Sequence, residues 1–294
     1  MDFQESFINY LQYEKRTSSH TLLAYKNDLD QFVQFCIGLV GEFDLKAVDN
    51  KLIRAWVVSL MEGKNSPRTV NRKVSAIKSF YKYAMKMEVV DKSPVTQIPL
   101  PKIRKKLPSF VEESSLIHLL DDGFFDQDFK GLRDKVIISL LYGTGIRLSE
   151  LLGLQENNID MHQSQIKVKG KRNKERIVPY PRSLNPLLES YRQSKAGQFG
   201  IVGGAFIVTD KGEPAYDKLV YRVVNSYLTR VTSLEKKSPH VLRHSYATHL
   251  LNRGADLNAV KELLGHSNLA ATEVYTHTTF ERLHSIYQQA HPRG

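Results

Sequence analysis

The stretch Ser238–Leu251, SPHVLRHSYATHLL, decides how this chain is read. Ser238-Pro239 pairs a capping residue with a proline at the first helical position, so a helix opens there. His240 and Arg243 lie three apart and share one face of it. Gly254 ends this helix, and Asp256 caps the next, over Leu257–Leu264. Gly265 stops that one and delivers His266 at a turn. Ser267 or Asn268 can cap a short helix carrying Tyr275, nine residues past His266. A last helix is predicted from about Phe280 to Gln289, with Phe280, Leu283, Ile286 and Tyr287 on its apolar side.

Moving toward the N-terminus, a helix is predicted over Leu132–Tyr142, ended by Gly143 in the left-handed conformation. Arg147 follows, just before a short helix at Leu148–Leu152, where a cation would share an anion site with unpaired N–H groups. Ile166 and Val168 alternate, as do Ile177 and Pro179, and Gly170–Lys174 reads as the hairpin turn between them. Lys171 and Lys174 then sit at its tip. Ala205–Val208 is a candidate strand, and Tyr216–Val231 a helix carrying Arg222 and Arg230. A helix near residues 112–121 precedes an acidic loop, Asp121–Asp128. That loop does not match a calcium-binding loop, because Lys130 and Ile137 stand where oxygen ligands are required.

Residues 3–90 read as helices throughout. Phe3, Phe7, Tyr10 and Leu11 form a short apolar face, and Leu22, Tyr25, Leu29, Phe32, Val33 and Cys36 a longer one. Asp49 caps a third helix, and Ser66-Pro67 opens a fourth. Together they predict a four-helix bundle. On the fourth helix Val70, Val74, Ile77, Tyr81 and Ala84 fall on one side. Arg68, Arg72, Lys82 and Lys86 fall opposite, flanked by Lys78, with no acidic residue in this segment before Glu88. Such a single-sign stripe suits a phosphate backbone. The segment 93–108 is punctuated by Pro94, Pro99, Pro101 and Pro108 and carries Lys102, Arg104, Lys105 and Lys106, which predicts an extended basic linker. The division is thus residues 1–92, linker 93–108, and a second domain, 109–294.

Composition narrows the function. The 294 residues carry a formal net charge of +11, which favours a polyanionic partner. No run approaches the ~18 apolar residues of a membrane span. Cys36 is the only cysteine, so an internal disulfide is impossible and a thiolate metal site is disfavoured, as suits a reducing cytosol. His240, His244 and His249 hint at zinc, but Val241 stands where a zincin helix has its glutamate. No metal and no cofactor is expected.

Singly, Arg147, Lys171, His240, Arg243, His266 and Tyr275 each have an ordinary explanation, including an Arg147–Glu150 pair. As an ordered set they supply what phosphodiester cleavage without a metal needs: fixed positive donors around the phosphate and a side-chain nucleophile. The chain resembles the tyrosine recombinases, most closely the Xer subgroup. The likeness is strongest in Ser238–Leu251, in Gly254–Ser267 (GADLNAVKELLGHS) and at Tyr275-Thr276-His277, and it continues through Glu281-Arg282-Leu283 to the ending Gln288–Arg293. Thr21–Leu29 resembles the family's core-binding domain less specifically.

The resemblance implies a mainly α fold with a small antiparallel β-sheet: an N-terminal SAM-like four-helix core-binding bundle and a C-terminal α+β catalytic domain. It implies attack by Tyr275, proton acceptance by His240, and a phosphate held by Arg147, Arg243 and His266. Lys171 would protonate the leaving oxygen. Expected DNA contacts are Arg68, Arg72, Lys78, Lys82, Lys86, Lys174 and Arg176. The implied partners are a double-stranded DNA recombination site, a homo- or hetero-tetramer with a second recombinase, and a DNA translocase of the division machinery. The implied location is the cytoplasm, with the nucleoid. An integrase of a phage or transposable element is the main alternative, and a non-catalytic DNA-binding protein a weaker one.

Overall fold

The computed structural model describes residues 3–103, 109–121, 123–170, 174–200 and 204–265. The chain divides into two compact units, Met1–Lys106 and Leu107–Gly294. No helix among the described residues is long and apolar enough to cross a membrane.

In the first unit, α1 (Phe3–Asn9) runs into a π-helical turn (Tyr10–Glu14), followed by α2 (Ser19–Val40), α3 (Asn50–Glu62) and α4 (Pro67–Lys86). The starts of α3 and α4 have a local cause. The Asp49 carboxylate accepts from the Leu52 N–H at 2.8 Å, and the Ser66 hydroxyl accepts from the Thr69 N–H at 3.2 Å beside Pro67. Phe7, Phe32, Ile53, Trp56, Val70, Ile77, Phe80 and Tyr81 interlock in one core. The four-helix bundle is as the periodicity predicts. The proline-rich segment begins differently. Val95 enters the bundle core, the Asn50 amide donates to the carbonyls of Pro94 and Thr96, and the Asn71 amide donates to that of Pro101. The stretch is folded onto the bundle at least to Pro101, because two buried-edge amides take up carbonyls that proline leaves without strand or helix partners. Arg104, Lys105, Lys106 and Pro108 lie outside the described residues.

The second unit contains α5 (Glu113–Leu120), α6 (Phe129–Thr144), α7 (Leu148–Leu152), β1 (Ile159–Asp160), β2 (Gln165–Lys169), β3 (Glu175–Pro179), α8 (Asn185–Phe199), α9 (Asp217–Thr229), α10 (Pro239–Asn252) and α11 (Leu257–Leu263). The sheet is antiparallel, in the order β1-β2-β3. Helix α6 is its axis: every residue from Val136 to Thr144 is buried. A helix apolar all round gives little amphipathic signal. It is therefore longer than periodicity predicts at both ends. Asp128 caps its start, accepting from the Gly131 N–H at 2.7 Å. Gly143 lies inside the helix, where a Cβ would stand 3.2 Å from Leu184, and Gly145 (φ +62°) is the residue that ends it.

Two strand expectations are corrected. Ala205–Val208 forms only isolated bridges, Gln155 to Ala205 and Val208 to Pro214. On β3 the inward residues are Arg176 and Val178, while Ile177 is 43% exposed. The register places Ile166 opposite Val178 and Val168 opposite Arg176, so these pairs share the buried face. Hydrophobicity alone assigns Ile177 to that face, and the true parity follows from an ion pair described below.

Candidate active site and DNA face

Three helix ends and one strand converge on a cluster of guanidinium groups. Helix α6 closes at Gly145, and two residues later Arg147 stands just before α7. Helix α10 carries Arg243, and α11 ends at Leu263–Gly265. Arg243 is buried and donates to the Gly145 carbonyl and, at 2.6 Å, to that of Leu264. Arg147 is partly exposed and donates to the Gly265 carbonyl at 2.8 Å. Arg176 is buried on β3 and donates to the Leu263 carbonyl at 3.3 Å. Three consecutive carbonyls therefore each accept from a different arginine. Carbonyls at a helix C-terminus lack intrahelical partners and carry partial negative charge, so cations suit them.

One carboxylate ties the cluster together. Glu150 on α7 accepts from the Arg147 backbone N–H (2.8 Å) and the Arg147 side chain (2.8 Å). It also accepts a fork from Arg176, at 2.6 and 3.0 Å. Burial pushes its pKa up, but the Arg176 hydrogen bonds, the Arg147 N–H and both positive charges prevail and hold it below the ordinary value. It is ionised at neutral pH. The backbone N–H that precedes α7 is thus taken by the chain's own carboxylate, whereas the sequence suggests a free anion site there.

Three guanidiniums around a single carboxylate leave positive charge in excess. Arg243 registers this. Burial first, then the Arg147 and Arg176 charges against the opposing Glu150, push its pKa down to about 10. A phosphate beside it would relieve that repulsion.

Close approach requires glycine at two of these turns. At Gly145 a Cβ would lie 2.3 Å from Tyr246, in a left-handed backbone. Gly145→Ala is expected to cost about 1–3 kcal/mol from overpacking and about 1–2 kcal/mol from the left-handed strain. A thermal melt should fall by several degrees, and an unchanged melt would contradict both the close approach and the strain. At Gly265 a Cβ would stand 3.1 Å from the Arg176 guanidinium.

His240 is exposed in the first turn of α10, three residues before Arg243. Lys171, His266 and Tyr275 lie outside the described residues, as do the predicted helices over Tyr275 and residues 280–289. Gly170 and Gly265, the described residues just before Lys171 and His266, both border Arg176: a Cβ on Gly170 would stand 3.9 Å from it. His249, the third member of the histidine series, is buried, with Nδ1 2.9 Å from the Tyr142 hydroxyl and its pKa lowered by burial.

The stripe on α4 faces solvent: Arg68, Arg72, Lys78, Lys82 and Lys86 are all exposed. It is less uniformly positive than its own helix suggests. Arg72 pairs with the buried Asp28 of α2, and Lys86 reaches Glu14 at 3.2 Å. Asp28 also takes the buried Lys73 at 3.2 Å. Lys174 is exposed at the base of the hairpin. Arg176 stands apart from this group, since its guanidinium is turned inward to Glu150. Sequence reading missed the joint role of Glu150 and the Leu263–Gly265 carbonyls. The available signal was the Arg147-to-Glu150 spacing of three at a helix start.

Among the described residues the chain is mainly helical, with a three-stranded antiparallel sheet and a cluster of arginines at the ends of α6 and α11. Residues 111–282 match the phage integrase family, and residues 5–88 match the phage integrase N-terminal SAM-like domain. The chain belongs to the phage integrase family and is a site-specific tyrosine recombinase of Xer type. It is 37% identical to tyrosine recombinase XerC of Chlorobaculum tepidum, over 98% of this chain and 94% of that protein. It is 41% identical to XerC of Staphylococcus saprophyticus, over 99% and 97%. Among solved structures it shares its fold with the XerH recombinase bound to a palindromic difH substrate (TM-score 0.72, 22% identity, 96% of this chain and 83% of that one). The Tn1549 transposon integrase in complex with circular intermediate DNA gives a TM-score of 0.73 at 18% identity, over 97% and 99%.

Proposed function

We propose that this recombinase cuts and rejoins DNA at one chromosomal site through a 3′-phosphotyrosine at Tyr275, resolving chromosome dimers before segregation. The observation that carries the site assignment is the convergence of Arg147 and Arg243 on the carbonyls that lead directly into His266. Guanidinium forks match phosphate oxygens, so this pair is suited to holding the scissile phosphate.

In the cleavage step, Tyr275 Oη forms a bond to phosphorus and the bond from phosphorus to the 5′ oxygen breaks. The tyrosine proton passes to His240, since a phenol of pKa ~10 must lose it on attack at neutral pH. Lys171 gives a proton to the leaving 5′ oxygen. His266 donates to a non-bridging oxygen. A 5′-hydroxyl from a partner duplex reverses the sequence, and the conserved ester energy removes any need for ATP. No metal or cofactor takes part in this scheme.

The exposed stripe of Arg68, Arg72, Lys78, Lys82 and Lys86, with Lys174, would bind the DNA backbone. Each phosphate neutralised contributes about −0.9 to the slope of log affinity against log salt. Binding by gel shift should therefore fall steeply between low and physiological salt, and a flat response would remove the stripe from the interface. Four active sites around two duplexes imply a tetramer, with this chain alone or with a second recombinase. The segment containing Phe280, Leu283, Ile286 and Tyr287 would dock on a neighbour and be open to a DNA translocase. The basic charge and the single cysteine suit a cytoplasmic, nucleoid-bound protein.

Recovering and sequencing DNA covalently trapped on the protein in cells tests the biological role. A single short chromosomal site is expected. Recovery at the ends of a mobile element would favour the integrase alternative.

A further inference from the structure

We infer that Arg176 is a positioning residue of the cleavage machinery, which fixes the phosphate-binding arginines through Glu150, and that it is not a DNA contact. This inference rests on the recombinase reading above. Four observations support it. Arg176 is buried, at 8% exposure. Its two terminal nitrogens form a fork to both oxygens of Glu150, the same oxygens that accept from Arg147. Its Nε donates to Leu263, the first of the three carbonyls whose other two are held by Arg243 and Arg147. Finally, Gly265 (φ +64°) lies so close that a Cβ there would stand 3.1 Å from the Arg176 guanidinium.

The consequence is mechanical. Among the described residues Glu150 makes direct ion pairs only with Arg147 and Arg176, so without Arg176 its direct partner is Arg147 alone. Its carboxylate would then be free to draw the Arg147 side chain toward itself and away from Gly265. Arg176 occupies Glu150 from the strand side and leaves Arg147 stretched between Glu150 and Gly265. The same guanidinium links β3, which follows the Lys171 turn, to the last turn of α11, which precedes His266. One side chain thus sets the spacing of three separate segments. A misplacement of about 1 Å at such a site can cost ~10²-fold in rate. Lysine cannot reproduce the fork.

Arg176→Lys in the full chain is the test, read as single-turnover cleavage of a nicked duplex at saturating protein, with DNA affinity measured across a salt series. Positioning predicts unchanged affinity and salt slope with cleavage slowed about 100-fold. It also predicts that Glu150→Gln has a similar defect, and that the double variant is no slower than the worse single, because coupled residues are not additive. A DNA contact predicts, for the charge-removing Arg176→Gln, a salt slope smaller by about 1, and effects of Arg176→Lys that multiply with those of Glu150→Gln. Either of those results, or cleavage by Arg176→Lys at the wild-type rate, overturns the inference while leaving the recombinase reading intact. If Arg176→Lys melts far below the wild type, the double variant Glu150→Gln with Arg176→Gln decides. Recovery of the melt supports the pair as a unit, and no recovery overturns it. Absence of any adduct from the wild-type chain would instead strike at the recombinase reading itself.

Discussion

Tyr275→Phe is expected to bind its DNA site as the wild type does and to form no covalent adduct. The substitution removes one oxygen and leaves the ring. The six-residue set contains one nucleophile and five groups that donate hydrogen bonds, carry positive charge or move a proton. None of those five can replace the missing oxygen in a stable ester to the 3′ phosphate at neutral pH. The loss should therefore be total, unlike that of a supporting donor. A nicked suicide duplex makes the readout clean, since the short 5′-hydroxyl fragment diffuses away and any adduct persists on a denaturing gel. A normal adduct from this variant would remove Tyr275 from the mechanism.

Arg243→Lys should lose cleavage by ~10²–10³, the usual effect of deleting one fixed donor, while keeping most DNA affinity. Its guanidinium is buried and shared between the carbonyls of Gly145 and Leu264, which sit on different helices. Lysine keeps the charge but offers one point where arginine offers a fork. It cannot hold both carbonyls and present a further N–H to a phosphate. The same change should lower the melting temperature, because two C-terminal carbonyls lose their shared partner. Arg147→Lys should be milder in stability, since Arg147 is a third exposed and one of its two side-chain bonds is within its own turn. Single-turnover rates at saturating protein separate binding from chemistry, and a rate within tenfold of wild type would show that Arg243 does not hold the reacting phosphate.

Much of this architecture is legible in the sequence, and the reasons differ by element. Caps are local chemistry, so Asp49, Ser66-Pro67 and Asp256 mark true helix starts. Helix α7 is found to the residue, at Leu148–Leu152. Helix α6 is read short because burial on all sides erases periodicity. Strand β3 is read in the wrong parity because an inward arginine breaks the rule that apolar residues face the core. That arginine is inward only because Glu150, 26 residues earlier, awaits it. The α4 stripe is legible as a charge pattern, yet its partial neutralisation by Asp28 and Glu14 is a tertiary fact. The likeness in Ser238–Leu251 leads to the family. The meeting of Arg147, Arg176 and Arg243 on three successive carbonyls could be seen only in the folded chain.

The central claim is that side-chain positive charge, gathered at the ends of α6 and α11, lets a tyrosine oxygen become esterified to DNA without a metal. The most direct measurement is digestion of the covalent complex formed in the presence of a strong chelator, followed by mass analysis of the DNA-linked peptide. The account predicts a 3′-phosphate ester on the peptide that spans Tyr275, formed at the same rate with and without chelator. A linkage on any other side chain, or an adduct that forms only when magnesium is restored, would contradict it.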